Sequence, residues 1–280
     1  ATGGDRATAT ISRNGDLIGR MYLETLALDT STDNDGAVFI NDVTLEIGGQ
    51  QIDKHTGSWM EAWAELTEPN PSGNVGLGNT EAGTVFQRMA AMGGYTDNNP
   101  TTSDKHFIPL RFWFCDNPGL ALPLIALQYH EVKVNLTFQE KSKIAAFTDM
   151  PILDSTLWVD YIYLDTDERR RFAQVSHEYL IEQVQENDIT SATGGKELNF
   201  NHPVKELIFA GIGTTVPAAT EGASTPLDFN VSNEDRNHTT TFGLKLNGHA
   251  RFAPRKVSYF TKCQVLQYHS GHGGILPVTE

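Results

Sequence analysis

Cysteine is nearly absent. Cys115 and Cys263 are the only two in 280 residues, which allows at most one disulfide and fits a reducing compartment. Basic charge is scarce as well: 21 Lys and Arg stand against 35 Asp and Glu, a formal net charge of −14. A surface this acidic repels a phosphate backbone, so direct binding of nucleic acid is not expected. No apolar run reaches the roughly 18 residues of a membrane-spanning helix. The chain opens on Ala1-Thr2-Gly3-Gly4-Asp5, with neither an initiator Met nor a signal-peptide pattern. Long blocks of one charge are missing too. The densest basic run, Arg169-Arg170-Arg171, follows Asp165, Asp167 and Glu168 and reads as a self-compensating structural network. What remains is ordinary for a globular protein of about two domains, with 39% hydrophobic and 20% charged residues.

Strand and turn signals are abundant. Residues 7–11 alternate, Asn14-Gly15 follows, and 17–28 read as a second strand, so the opening is expected to be a hairpin. Residues 37–47 are a third strand candidate. Ser58 and Glu61 have the form of a capping box, and Trp59, Met60, Trp63 and Leu66 make a helical apolar stripe behind it. Residues 69–80 read as loop, and 82–92 as a second helix stopped by Gly93-Gly94. Residues 107–115 are aromatic and apolar, and Asp116-Asn117-Pro118-Gly119 is turn chemistry. Val132, Val134, Leu136 and Phe138 share one face of a strand. Residues 157–164 are apolar on both faces and are expected to be central in a sheet. The charged stretch 167–175 reads as a short helix or turn and a domain junction. Strands are expected again at 179–184, 204–209 and 241–246, around a polar loop at 217–237. Many short strands with decorated loops argue for sandwich architecture.

Catalytic and ligand motifs fail on inspection. Gly194-Gly195-Lys196 lacks the upstream glycine of a phosphate loop, where Thr190 stands, and is followed by Glu197. Ser31, Asp33, Asp35 and Gly36 imitate a calcium loop but reach Asp42 at the twelfth position. His55 with His130, or His269 with His272, lack the Cys or carboxylate pattern that completes a metal site. Ser176-His177-Glu178 is adjacent in sequence, whereas a triad is assembled by folding. Glu61 and Glu65, one turn apart, are expected to be exposed helix acids. Trp59 and Trp63 could stack on a sugar, with core anchoring the preferred reading. The sequons at Asn135, Asn230 and Asn237 are taken as chance. No cofactor, metal or enzymatic activity is expected.

Four segments, in order, carry a resemblance. They are Ile11-Ser12-Arg13-Asn14-Gly15-Asp16-Leu17 leading to Arg20-Met21-Tyr22-Leu23; Leu45-Glu46-Ile47-Gly48-Gly49-Gln50-Gln51-Ile52-Asp53-Lys54-His55; the run from Phe112-Trp113-Phe114-Cys115 through Asp116-Asn117-Pro118-Gly119-Leu120 to Gln128-Tyr129-His130; and Val159-Asp160-Tyr161-Ile162-Tyr163-Leu164-Asp165-Thr166-Asp167-Glu168-Arg169-Arg170-Arg171-Phe172-Ala173. Weaker echoes follow at Asn201-His202-Pro203 and Asn247-Gly248. Together they resemble the major capsid proteins of iridoviruses, phycodnaviruses, mimiviruses and other nucleocytoplasmic large DNA viruses.

The resemblance implies an all-β fold of two consecutive jelly-roll β-sandwiches with short helices in the loops. Residues 1–166 would form the first, 167–177 a junction, and 178–280 the second, with segments of both ends missing by comparison with the family. It implies a homotrimer forming a pseudo-hexagonal capsomer of an icosahedral shell, assembled in the host cytoplasm. Neighbouring capsomers and minor capsid and penton proteins would be partners, and an internal membrane would be touched indirectly. Gly48, Gly49, Gln50, Asn117, Pro118 and Gly119 are expected to shape turns that set lateral edges. Asp165, Asp167, Glu168 and the three arginines are expected to clamp the junction, so that Arg170→Ala weakens trimer assembly. A lectin-like carbohydrate-binding jelly roll and a membrane-shaping assembly scaffold are the alternative readings.

Overall fold

Side chains of alternating burial place two facing antiparallel sheets in the first half of the chain. The computed structural model describes residues 6–26, 34–69, 84–94, 105–139, 155–187, 195–209 and 241–271. The first sheet runs β1 (Arg6–Thr10), β7 (Val132–Phe138), β3 (Ile40–Ile47), β4 (Gln50–Thr56). In the second, β2 (Leu17–Leu26) is central. It pairs with β5 (Lys105–Pro109) and β6 (Leu122–Pro123) on one edge and β8 (Thr156–Ile162) on the other.

Inward residues of both sheets make one core: Ile18, Met21 and Leu23 face Val43, Leu45, Val134 and Leu136, with Phe39, Phe112 and Phe114 fully buried among them. Ile18 and Met21 are three apart, yet both are buried. A register shift between them against β8 restores the inward phase. Ile40 and Val43 repeat the device in β3 against β7.

Helices close the gaps between strands. They are α1 (Asp35–Val38), α2 (Gly57–Thr67), α3 (Val85–Ala90) and α4 (Trp113–Asp116), followed by a 3-10 turn at Pro118–Leu120. Thr84 and Gln87 form a reciprocal capping box on α3. The β3–β4 hairpin turns on Gly48 and Gly49, with φ of 60° and 84°, the pair of left-handed conformations that a tight two-residue turn requires.

Several sequence expectations are overturned. The opening is not a hairpin: β1 pairs with β7, and residues 11–16 cross from one sheet to the other. Arg13 pins that crossing by donating to the carbonyls of Leu127, Gln128 and His130. Gly15 is there for close approach, since a Cβ on it would lie 2.8 Å from the Tyr161 Cβ. The cap of α2 is Thr56, whose hydroxyl accepts from Trp59 N–H, and not Ser58. Residues 35–38 are helix and not the start of a strand, and β5 ends at Pro109 ahead of α4. Among the described residues β8 pairs with β2 alone, so it lies at an edge; its outward residues are exposed instead of being covered by a further strand.

The second half has a different character. After α5 (Thr166–Gln174) the described residues hold two short ribbons, β9 (Thr241–Phe242) with β12 (Arg255–Lys256), and β10 (Lys245–Leu246) with β11 (His249–Ala250). A π-helical turn at Tyr259–Gln264 runs into α6 (Val265–Tyr268), where a mixed apolar segment stood in the sequence. Residues 179–184 and 204–209, expected as strands, form no ladder among the described residues. Val265 is the one buried hydrophobic residue described beyond Phe138. The 217–237 loop, the sequons at Asn230 and Asn237, and Ser31, Asp33, Thr190, Gly194 and His272 lie outside the described residues.

Candidate interaction surfaces

Three lines of contact hold the second half against the first sandwich. At the first, Asp165 caps α5 by accepting from Glu168 N–H at 2.8 Å, which leaves Arg169 free to reach Asp16 at 2.9 Å. Asp16 also accepts from Leu164 N–H at 2.9 Å. Those two donors hold its carboxyl below the usual carboxylate range. Arg170 and Arg171 are exposed and form no ion pair among the described residues. Arg169→Ala is therefore expected to speed amide hydrogen exchange in α5 of the unassembled subunit, whereas Arg170→Ala leaves it unchanged. Equal exchange in the two variants would remove Arg169 from the junction.

The second line follows the edge of β4. Asp53 Oδ1 accepts from Val184 N–H at 3.0 Å, Gln183 donates to the Ile52 carbonyl, and Thr56 meets Glu186 at 3.3 Å. Asp53 Oδ2 lies 2.8 Å from His55 Nε2, and both side chains are buried. The His55 ring is sandwiched by Trp59 at 4.3 Å and Phe112 at 4.8 Å. So enclosed, this His–Asp pair has no path to a substrate.

The third line is at the end of α2. Gly271 N–H donates to the Leu66 carbonyl at 2.7 Å, Ser270 to the Thr67 carbonyl, and His269 packs edge-on to Trp63 while pairing with Glu206 at 2.5 Å. Trp59 and Trp63 stack on each other at 5.7 Å. Half-buried, with His55 on one side and His269 on the other, they pack into the seam.

A different surface lies on the outer face of the second sheet. Tyr22 sits between Pro109 and Trp158 in register, and Glu24 lies opposite Phe107. The Tyr22 and Trp158 rings are near parallel, 18° apart with centroids at 6.4 Å, and Phe107 meets Tyr22 edge-on. Trp158 is 48% exposed. Its indole N–H donates to Glu24 Oε2 at 2.6 Å, and Lys105 binds the other oxygen. Lys105 and the Trp158 indole hold the Glu24 carboxyl below the usual carboxylate range, and Lys105 compensates its charge in place.

The remaining residues singled out from sequence are dispersed. Asn117 Oδ1 accepts from Gly119 N–H at 2.9 Å and shapes the turn through Pro118. Gly48 abuts exposed His130, and Gln50 opens β4 opposite Ile47. Asp167 and Glu168 occupy the first turn of α5. Asn201, His202 and Pro203 are exposed, with Asn201 N–H donating to Gln185. Asn247 and Gly248, with φ of 50° and 82°, form the tight β10–β11 turn. His55 is buried while His130 is exposed, and the described residues contain no metal-holding group of three His, Cys, Asp or Glu. Ser176, His177 and Glu178 are exposed, and His177 bonds the Phe172 carbonyl. Glu61 and Glu65, expected on the surface, are both buried. Burial pushes the Cys115 thiol up to about 12 and leaves it unreactive. Sequence reasoning missed Asp16 as the partner of Arg169, although both stand in segments that carry the resemblance.

Comparison with known proteins follows the same chain from end to end. Residues 1–165 match the family described as major capsid protein N-terminus, and residues 168–273 the family described as large eukaryotic DNA virus major capsid protein. The major capsid protein of Pyramimonas orientalis virus is 45% identical over 274 residues, covering 95% of this chain and 63% of that protein. That of Paramecium bursaria Chlorella virus 1 is 37% identical, covering 98% of this chain and 68% of the other. The chain thus spans about two thirds of the length of these relatives. Among solved structures, the quasi-atomic model of the PBCV-1 virus capsid matches with a TM-score of 0.72 at 34% identity, covering 99% of this chain and 72% of that one.

Proposed function

The chain belongs to the family of large eukaryotic DNA virus major capsid proteins, and from that membership we propose that it builds the shell of such a virion as its repeated structural tile. It is a structural protein, not an enzyme. The observation that carries this reading is the match of both family descriptions, in order, along residues 1–165 and 168–273. Two jelly rolls, at 1–166 and 178–280, flank a junction at 167–177 held through Arg169 and Asp16. Three copies form a pseudo-hexagonal capsomer in the host cytoplasm, which then meets neighbouring capsomers and minor capsid and penton proteins.

Electrostatics limits where copies can touch. A chain of net charge −14 repels its own kind, so self-contact is favoured where carboxylates are already compensated and apolar area is available. The outer face of the second sheet meets both conditions. Glu24 is neutralised by Lys105, and Tyr22, Phe107, Pro109 and Trp158 supply aromatic and apolar surface. Tyr and Trp anchors dominate binding energy at such contacts.

Light scattering of the purified protein, with negative-stain images of the same peak, tests the reading: a trimer of pseudo-hexagonal outline is expected, and a glycan-binding monomer would favour the lectin alternative. Trp158→Asp is then expected to lower the trimer association constant by roughly thirty-fold, the equivalent of about 2 kcal/mol for an anchor residue. The monomer is expected to lose only the exposed contacts of Trp158 with Tyr22 and Glu24, and so to show a small fall in its thermal transition, because Trp158 lies outside the core. A trimer unaffected by that substitution would place the contact elsewhere.

A further inference from the structure

Charge is unevenly spread along the chain. Residues 241–271 hold Lys245, Arg251, Arg255, Lys256 and Lys262 and not one Asp or Glu. The rest of the chain carries 16 Lys and Arg against all 35 acids. A basic unit is thus built into a protein of net charge −14. All five cations are exposed, and among the described residues none of them forms an ion pair. Elsewhere Lys105, Arg111, Lys133, Arg169 and Lys205 all find carboxylates. Glu206 does reach this segment, but it is taken by His269.

The cations stand on short pieces of backbone that are tied together. Lys245 and Arg251 flank the β10–β11 turn, where Arg251 N–H donates to the Leu244 carbonyl at 2.8 Å. Arg255 and Lys256 form β12, opposite Phe242 and Thr241. Lys262 lies in the π-helical turn. Phe260 links these pieces, with its ring 6.3 Å from Phe242, 5.9 Å from Phe252 and 5.2 Å from Tyr259. The Arg255 guanidinium lies 4.3 Å over the Tyr259 ring, which orders its planar fork in advance of any carboxylate.

We propose that this basic unit is a contact site for the acidic surface of a second copy of the chain. The inference rests on the shell reading and adds where one copy holds the next. A ring of three closes through contacts in which one patch meets a different patch of the neighbour. A chain that carries both a cationic unit and unpaired acids meets that requirement by itself. The acids are in place: Asp160, Asp167, Glu168 and Glu178 are exposed and form no ion pair among the described residues. Asp160 lies two residues beyond Trp158 on the exposed side of β8. An extended polyanion suits the unit less well. DNA or an anionic bilayer confronts the whole chain, whose other 249 residues carry an excess of 19 negative charges. A contact between two patches is governed by charges within about 8 Å at physiological salt.

The test is sedimentation equilibrium of the full chain from low to high NaCl, for the parent and for Lys245→Glu/Lys256→Glu. Parent association is expected to weaken as salt rises. At low salt the double variant is expected to associate about tenfold more weakly, and the gap closes at high salt. Both side chains are exposed and unpaired, so the variant should keep the parent's thermal transition. If it does not fold, Lys245→Gln/Lys256→Gln is read in its place, with a loss of about threefold. Equal association of parent and variant at low salt overturns the site and leaves the shell reading standing. A chain that stays monomeric at every salt concentration overturns both. Binding to phosphatidylserine vesicles or to duplex DNA that the variant loses, with self-association unchanged, overturns the site as well and assigns the unit to a polyanion.

Discussion

Phe112→Ala is expected to destabilise the protein by about 3–5 kcal/mol, the range for removing a fully buried aromatic ring from a core. Phe112 has no solvent exposure and sits where the two sheets meet the seam. It stacks on His55 at 4.8 Å and on Phe114 at 5.9 Å. Losing the ring leaves a cavity beside the His55 imidazole. That ring keeps Asp53 in place, and Asp53 accepts Val184 N–H from the second half. Buried His55 Nδ1 meets no partner among the described residues. Water is therefore expected to enter the cavity and solvate a polar atom that packing now shields. Thermal unfolding should show a fall in midpoint of roughly 10 °C, together with faster exchange at Val184. A loss below about 1 kcal/mol would mean that the site collapses around the change.

Gly57→Ala is expected to destabilise the protein as well, although it replaces glycine by the best helix former. A Cβ at position 57 would lie 2.2 Å from the Ala37 carbonyl oxygen and 2.3 Å from that of Ile40. Both are backbone atoms, one in α1 and one opening β3, so no side chain can rotate away. The first turn of α2 has to retreat, and with it the helix carrying Glu61, Trp59 and the seam. Overpacking of this kind costs about 1–3 kcal/mol or more. Gly49→Ala is the control. It stands at φ 84° with nothing within 4 Å of its Cβ, so it meets left-handed strain alone, about 1 kcal/mol. Urea midpoints of the two variants should rank Gly57→Ala well below Gly49→Ala, and the reverse order would sink the steric argument.

Much of the candidate surface was not legible from residue types. The dipeptide Asn-Gly occurs at 14–15 and again at 247–248. At 247–248 both residues take positive φ and close a tight turn. At 14–15 neither does, because Arg13 is committed to three carbonyls of the 127–130 loop and Tyr161 fills the space over Gly15. The chain is thereby carried across to the other sheet. Glu61 and Glu65 likewise look like solvated acids until the Gly93-Gly94 turn is seen over them. Of three consecutive arginines, one is selected by Asp16, 153 residues away. In β8, apolar residues on both faces mark an exposed aromatic platform and not a central strand.

By itself the sequence determined what depends on neighbours along the chain. The alternation of Val132, Val134, Leu136 and Phe138 prescribes which side of β7 is buried. Asn117-Pro118-Gly119 prescribes its own turn, because one side chain bonds the next-but-one N–H and proline pre-sets φ. The ordered motifs prescribe the family. Tertiary structure alone decided which strands pair, which carboxyls lose water and which arginine finds a partner. The physical reason is range: backbone torsions and capping are fixed within a few residues. Desolvation and pairing are set by whatever surface arrives from 100 or more residues away, as Asn135 and Thr8 show across a separation of 127.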